Sequence, residues 1–169
     1  MNNKLYQLNN DLKKILFLFV FTLTVGVTVG VFYLQVTTKL TPDGTVSRYK
    51  GDIAEEEFEI PENYPKSIGE LLLTTHNHII GFSFIFILLG LIFYFNSIIN
   101  GKLKMFFIIE PFISTSVTFG SLWLVRFVHE NFVYLTIISA VLLYFSFYLM
   151  SFITMYELIF KKNSSRQTL

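Results

Sequence analysis

The sequence predicts an all-α integral membrane protein, a bundle of four transmembrane helices with both termini in the cytoplasm. Hydrophobic residues make up 53% of the 169-residue chain, which includes 20 phenylalanines. A soluble domain of this size has too little interior to bury that much apolar surface. The excess is concentrated in four long apolar runs, and the lysines that flank these runs give the predicted orientation.

The four runs are predicted to cross the membrane at residues 15–36, 70–99, 105–127 and 132–157, within a single domain over residues 1–169. Each run meets the requirement of about 20 apolar residues for a bilayer-spanning helix. They lack the polar face that a helix on the surface of a soluble core would show. No small-residue cleavage site follows the first run, so we interpret it as a retained anchor rather than a signal peptide.

The basic residues predict which side of the membrane each segment occupies. With four spans, the N-terminal tail, the loop between the second and third spans and the C-terminal tail share one side. They carry Lys4, Lys13, Lys14, Lys102, Lys104, Lys161, Lys162 and Arg166. The positive-inside rule places this side in the cytoplasm. The protein is therefore expected in the inner membrane of a bacterium, with the loop 37–67 facing the periplasm.

The loop 37–67 is the only sizeable polar segment between two spans. Pro42-Asp43-Gly44 indicates a turn. Four glutamates follow, at Glu55, Glu56, Glu57 and Glu59. They indicate either a solvated loop or a docking surface for a basic partner, such as a periplasmic redox protein. The net charge of +1 gives no argument for a nucleic-acid partner, and the absence of cysteine excludes disulfides and thiolate sites.

The three histidines are the most informative residues for function. His76 and His78 lie near the start of the second span and His129 at the end of the third, so all three are expected near the periplasmic face. Side chains lean toward the N-terminus of their own helix, which brings these histidines toward a common depth. Positions i and i+2 of a helix differ by about 200°, so His76 and His78 point in opposite directions. A stripe of small residues favours His76 as the inward one.

Other polar residues in the spans allow more than one interpretation. Arg126 can pair with Glu130 or hold an anionic group of a ligand. Glu110 is a functional candidate because an intramembrane acid is expensive, although its position favours a side chain that reaches the cytoplasmic headgroups. Thr115 and Thr118 are expected to bond to backbone carbonyls or to another helix.

Two further patterns indicate helix packing. Gly26 and Gly30 have the GxxxG spacing that allows close contact, either within the bundle or between two protomers. Tyr144, Tyr148 and Ser151 follow one face of the fourth span. We interpret that face as a packing seam, and binding of a cofactor by the tyrosines is the alternative.

Haem b is the cofactor that best suits histidines from two facing membrane helices, because its iron takes two axial imidazoles and its porphyrin fills an apolar slot. His129 and one of His76 and His78 would be the axial ligands, with Arg126 beside a propionate. In this plan the chain resembles the small four-helix membrane b-type cytochromes. The resemblance implies an electron-transfer subunit with its haem near the periplasmic face.

Two alternatives to haem stay open. One is a zinc or copper ion held by His76 or His78 with His129, and by Glu130 as a further ligand. The other is a cofactor-free structural or accessory subunit of a larger membrane complex, such as a respiratory complex. No catalytic motif is present, so a non-catalytic role is expected.

The chain also resembles a family of bacterial inner-membrane proteins defined by a TP-x-G loop followed by ELL-x-x-TH-x-H. Those stretches are Thr41–Gly44 and Glu70–His78 in this sequence. The resemblance implies no particular activity.

Overall fold

The computed structural model describes residues 4–52 and 63–161, and this part of the chain contains helices and no strand. The helices are α1 (Asn10–Thr38), α2 (Pro42–Lys50), α3 (Ile68–Tyr94), α4 (Gly101–Phe127) and α5 (Phe132–Phe160), after one 3-10 turn at Leu5–Gln7. α1, α3, α4 and α5 have 27 to 29 residues each and are long and apolar enough to cross a membrane. The predicted helical membrane bundle is confirmed.

The contacts between connecting segments define two ends of the bundle. At one end the backbone N–H of Leu5 donates to the carbonyl of Phe95 at 3.1 Å, and Lys161 Nζ donates to Ser97 Oγ at 2.6 Å. We call this end the terminal side. At the other end, the α2 side, Lys50 at the end of α2 pairs with Glu130 between α4 and α5 at 2.9 Å.

Helix α5 lies at the centre of the bundle, because it packs against α1, α3 and α4. Its most extensive interface is with α4. The apolar core lies mainly between α1, α3 and α5 and contains Val20, Val27, Phe86, Leu89, Phe93, Leu143, Phe147 and Met150. The lipid-facing surfaces carry many exposed large apolar side chains, as expected for a bundle that buries its outer surface in a bilayer.

The turn predicted at Pro42-Asp43-Gly44 is wrong, because these residues begin α2. Proline is favoured at the first helical position, where its missing N–H is not needed. Thr41 precedes it as the N-cap, and its hydroxyl accepts the N–H of Gly44 at 3.1 Å. The same residues that form turns also start helices, and here the capping threonine makes the difference.

Helix α3 ends at Tyr94, before the predicted end of the second span at residue 99. Asn96 turns the chain, because its side-chain Oδ1 accepts the N–H groups of Ile98 and Ile99 at 3.0 and 2.8 Å. Lys104 then caps the helix, since its Nζ donates to the carbonyls of Tyr94 and Asn96 at 2.9 and 2.7 Å. Apolar residues after Tyr94 therefore belong to a loop.

The GxxxG pair of α1 does not mediate packing within the bundle. Gly26 and Gly30 are exposed, and a Cβ atom added to either would meet nothing within 4 Å among residues 4–52 and 63–161. The alternative of close packing within the chain is therefore wrong. Contact between protomers stays a prediction.

Residues 53–62, which include Glu55, Glu56, Glu57 and Glu59, lie outside the described residues, and the acidic docking loop stays a prediction. The residues on either side of this segment, Asp52 and Asn63, are hydrogen-bonded to each other. Asp52 N–H donates to the carbonyl of Asn63 at 3.1 Å, and Asn63 N–H donates to Asp52 Oδ2 at 2.8 Å. Ser47 Oγ also accepts from Asn63 Nδ2 at 2.9 Å.

We expect this junction to loosen in acid. The Ser47 hydroxyl and then the N–H of Asn63 lower the pKa of Asp52 below its ordinary 3.8. Because the folded-state pKa is depressed, the contribution of Asp52 is present above pH 3.8 and is lost as the pH falls through the folded-state value. In the natural protein, the NMR signal of the Asn63 amide should move in that pH range. The same signal should not move in Asp52→Asn, and the signal of an amide far from this junction should not move in either protein. An Asn63 signal that ignores pH in the natural protein would contradict this contact, and Asp43→Asn serves as the matched control.

Candidate functional site

His78 lies on the side of α3 that contacts α4. The centroid of its imidazole ring lies 4.8 Å from that of the Phe119 ring and 6.1 Å from that of the Phe82 ring, and the ring is tilted by about 30° to 37° relative to both. Its Nδ1 is 2.8 Å from the Thr74 carbonyl oxygen, one turn earlier on the same helix. One turn away, Trp123 Nε1 donates to Thr75 Oγ1 at 2.9 Å. This part of α3 is thus held against α4 by aromatic contacts and one hydrogen bond.

The preference for His76 as the inward histidine is wrong. The ring that meets the neighbouring helix is that of His78, through Phe119. His76 and His78 are both exposed, but they point about 200° apart on the helix, and only the His78 ring is directed toward Phe119 of α4. The small residues that favoured His76 include Gly90, which contacts Ile108 of α4 further along α3.

Arg126 and His129 bind local backbone groups at the α2 side. Arg126 Nε donates to the Lys66 carbonyl at 3.0 Å, which ties the end of α4 to the chain just before α3. His129 Nδ1 accepts the N–H of Asn131 at 3.1 Å in the tight connection to α5. The Arg126 bond links α4 to the segment before α3, and the His129 bond stabilises the α4–α5 connection.

The predicted Arg126–Glu130 pair is not formed. Glu130 instead accepts from Lys50 of α2 at 2.9 Å. This hydrogen bond lowers the pKa of the Glu130 carboxyl below its usual value. The pair lies in solvent, where such ion pairs contribute little.

His78 and His129 make separate contacts in the structure. His78 packs on Phe119, whereas His129 lies beyond the end of α4, in the connection to α5. Within residues 4–52 and 63–161 no three His, Asp or Glu side chains are close enough together to hold a metal ion.

The buried polar groups are concentrated elsewhere, along the interface between α4 and α5. We call this row the polar seam. It is formed by four residues of α4 and three residues of α5, all of them buried: Glu110, Ser114, Thr118 and Ser121 with Thr136, Ser139 and Ser146. The α4 members recur at intervals of three or four residues, so they share one face of the helix.

Glu110 is the ionisable member of the polar seam. It is only 8% exposed and lies four residues from the middle of α4, about 6 Å from the centre of the helix. Ser146 Oγ of α5 donates to its Oε2 at 2.6 Å, and the Ser114 hydroxyl donates to its Oε1. The interpretation of Glu110 as a side chain that reaches the headgroups is therefore wrong.

Hydroxyl pairs continue the polar seam from Glu110 toward the α2 side. Thr118 Oγ1 donates to Ser139 Oγ at 2.7 Å, and Ser121 Oγ lies 2.7 Å from Thr136 Oγ1. Thr115 Oγ1 donates to the Pro111 carbonyl at 2.7 Å. The prediction that Thr115 and Thr118 bond to backbone carbonyls or to another helix is therefore confirmed. Beyond these pairs, toward the α2 side, Val125 of α4 and Val133 of α5 are buried.

A second buried carboxyl lies at the terminal side. Glu157 is 0% exposed, and its oxygens accept the N–H and the hydroxyl of Ser97 at 2.7 and 2.8 Å. Lys161 donates to the same hydroxyl. Glu157 thereby fastens the last turns of α5 to the α3–α4 loop. The sequence pattern did not predict this role of Glu157.

One face of α5 packs against other helices, as the packing interpretation predicted. It carries Tyr144, Tyr148 and Ser151. Tyr148 Oη lies 2.9 Å from Thr28 Oγ1 of α1, and the Tyr144 ring meets that of Phe82 edge to face. Ser151 is fully buried.

Comparison with known proteins gives one match. A family model described as a transmembrane helical domain matches residues 39–165, which is most of the chain and includes α2 to α5. This match supports a membrane helical family and adds nothing to the resemblance to b-type cytochromes. No curated protein and no solved structure gives a significant match.

Proposed function

The chain belongs to a family of transmembrane helical domains, and we propose that Glu110 of this chain binds and releases a proton inside the bilayer. An ionisable side chain within a membrane helix is costly, and such residues typically face the bundle interior and take part in proton or ion handling. Glu110 faces α5.

The observation that carries the proposal is the pair of hydroxyl partners. A serine hydroxyl can donate to a carboxylate and can also accept from a protonated carboxylic acid. Ser114 and Ser146 can therefore satisfy Glu110 in both protonation states. The ion pairs among the described residues join Lys14 to Asp11, Lys50 to Glu130 and Lys66 to Glu70, so none of them fixes the charge of Glu110.

Infrared spectroscopy of the full chain in lipid vesicles tests this proposal. The carbonyl stretching band of protonated Glu110 is isolated as the difference between the natural protein and Glu110→Gln. We expect this band to weaken reversibly as the pH is raised and to be unaffected by the control Glu130→Gln. A band that is absent, or constant over the whole pH range in which the helices stay folded, would refute the proposal and leave Glu110 as a packing residue.

Haem b between His129 and one of His76 and His78 stays a prediction of the sequence. It is favoured by the aromatic surroundings of His78. We expect an absorption spectrum of the dithionite-reduced, purified protein to show a sharp α-band if haem is bound, with loss of that band in His129→Ala. A featureless spectrum of the folded protein, together with metal analysis for zinc and copper, would decide between the remaining alternatives.

The orientation and the partners form part of the same proposal. Lys13, Lys14 and Lys102 lie on the terminal side, which supports a cytoplasmic location for that side under the positive-inside rule. We propose that the protein lies in a bacterial inner membrane. We also propose that it is a subunit of a larger membrane complex. The polar seam provides such a complex with a proton-binding group and requires no bound cofactor.

A further inference from the structure

A groove lies between the beginning of α1 and the end of α5, on the terminal side of the bundle. It has a volume of about 280 Å³, and we call it the terminal groove. Four residues of α1 and two residues of α5 line it: Asn10, Lys13, Lys14, Phe17, Leu158 and Ile159. Glu110 and Glu157 are not among these residues, so the groove is separate from the two buried carboxyl sites.

The terminal groove lies where the contact between α1 and α5 opens. Lys13, Phe17, Val20 and Val27 recur at intervals of three, four and seven residues, so they share the face of α1 that is directed at α5. Val20 and Val27 are buried in the apolar core. Lys13 and Phe17, on the same face, are only half-buried. The first turns of α1 therefore leave a space beside α5 that no described residue fills.

The lining of the groove combines two ammonium groups with apolar side chains. Lys13 and Lys14 lie near the start of α1, and Phe17 lies about 4.5 to 6 Å further along the helix axis, toward the middle of the span. Leu158 and Ile159 complete the apolar part from α5. None of the six lining residues is acidic. A ligand that matches this lining has a negative charge at one end and an apolar chain at the other.

The charges of the two lysines are not neutralised by a close partner in the part of the chain that the structure describes. Lys14 Nζ lies 3.7 Å from Asp11 Oδ1, and the two side chains are 76% and 90% exposed. An ion pair this exposed contributes little. Lys13 takes part in none of the three ion pairs among residues 4–52 and 63–161. Both ammonium groups are therefore available to an anion.

The depth of the groove indicates which anion fits. The groove lies at the ends of two membrane-spanning helices, which is the level of the lipid headgroups, with the acyl chains beginning just below. Basic pockets between transmembrane helices on the cytoplasmic side bind phospholipid headgroups. Pockets that enclose a drug-sized ligand have volumes of about 300 Å³ or more. The terminal groove therefore accommodates one segment of an acyl chain rather than a whole lipid.

We propose that the terminal groove binds one anionic phospholipid of the surrounding membrane. Its phosphate lies beside the ammonium groups of Lys13 and Lys14, and the first part of one acyl chain packs on Phe17 and Ile159. The lipid fills the space between the ends of α1 and α5, and α1 is the least buried of the four membrane-spanning helices. This proposal does not depend on proton binding by Glu110.

Native mass spectrometry of the full chain in detergent tests the role of the charges. Phosphatidylglycerol and phosphatidylcholine with the same acyl chains are the anionic and zwitterionic probes. We expect the first phosphatidylglycerol to bind at least about tenfold more tightly than phosphatidylcholine, because two lysines act on one anionic headgroup. In Lys13→Gln/Lys14→Gln this preference should be lost, while the affinity for phosphatidylcholine stays unchanged.

Lys39→Gln/Lys102→Gln is the matched control, because it removes the same charge from two exposed lysines outside the groove. This variant should keep the natural preference for phosphatidylglycerol. An equal loss in both double variants would assign the preference to the overall charge of the protein and overturn the proposal. A natural protein that does not distinguish the two lipids would also overturn it.

A variant that fills the groove tests the role of the apolar residues. Ile159→Trp places a larger side chain in the groove and keeps both lysines. We expect it to weaken the binding of both lipids several-fold, because the acyl chain loses its space, while the preference for phosphatidylglycerol persists. Ile138→Trp is the control, since Ile138 is 61% exposed on the same helix and lies outside the groove. Natural affinities in Ile159→Trp would refute the packing of an acyl chain in the groove.

Inorganic phosphate distinguishes a lipid headgroup from a free anion at the same lysines. In the same measurement, the natural protein should retain no phosphate at the concentration at which phosphatidylglycerol is bound. Bound phosphate that disappears in Lys13→Gln/Lys14→Gln would assign the two lysines to a free anion and overturn the lipid proposal.

Discussion

Replacing Glu157 by alanine is expected to destabilise the bundle by about 3 kcal/mol, because hydrogen bonds to a buried carboxyl are among the stronger ones and their loss leaves two partly buried donors without this partner. The donors in question are the N–H and the hydroxyl of Ser97. The α3–α4 loop would lose its attachment to α5. Chemical unfolding in detergent, followed by helical circular dichroism, measures the effect.

Two control variants make this expectation specific. Glu157→Gln keeps the size of the side chain and one acceptor oxygen, so it should cost clearly less than Glu157→Ala. Glu130→Ala removes an exposed carboxyl and should change stability by no more than about 0.5 kcal/mol. If Glu157→Ala proves no more harmful than Glu130→Ala, the contact between α5 and Ser97 does not hold the fold together.

Ser146→Ala is expected to have the second largest effect. It removes the hydroxyl that donates to Glu110 Oε2 at 2.6 Å, which leaves a buried carboxyl oxygen without that partner at a cost of about 1–3 kcal/mol. It should also shift the carbonyl stretching band of protonated Glu110 to higher frequency, since a carbonyl that accepts fewer hydrogen bonds is stiffer.

Ser116→Ala is the matched control, because Ser116 is exposed and donates only to the Phe112 carbonyl of its own helix at 3.0 Å. It should leave both stability and the Glu110 band close to those of the natural protein. A Ser146→Ala protein with the natural band position would show that Ser146 does not contact Glu110 in the membrane.

The membrane fold could be predicted because the hydropathy of a span is a local property. About 20 apolar residues in a row predict a crossing regardless of what the helix touches. The bounds were less accurate at the second span, where apolar Ile98 and Ile99 lie in a loop. Their backbone N–H groups are satisfied by Asn96, and hydropathy contains no information about that arrangement.

The polar seam could not be predicted in the same way, because it depends on how α4 and α5 are rotated about their axes. An apolar helix in a membrane has hydrophobic residues on all sides, so periodicity does not show which face meets a neighbour. The spacing of Glu110, Ser114, Thr118 and Ser121 was a usable signal, and Ser139 and Ser146 are its counterpart on α5. Glu157 is followed four and five residues later by Lys161 and Lys162. In the sequence it therefore looks like part of the polar end of a span rather than a buried residue.

The histidines illustrate the limit of reasoning from depth alone. All three were predicted near one face, but a common face is compatible with separations of many ångströms along a helix. His78 is fixed by the Phe119 ring and His129 by the connection to α5. Neither contact is visible in the spacing of the residues.

Because Lys104 caps α3, its positive charge is not presented at the surface of the terminal side. Lys104 is 7% exposed, and its ammonium is turned toward the carbonyls of Tyr94 and Asn96 rather than toward lipid phosphates. Lys104 therefore links the end of α3 to the start of α4, and it contributes little charge to the surface of the terminal side. The more exposed Lys14 and Lys102 supply positive charge at this surface. In the folded bundle they are the lysines on which the positive-inside argument depends.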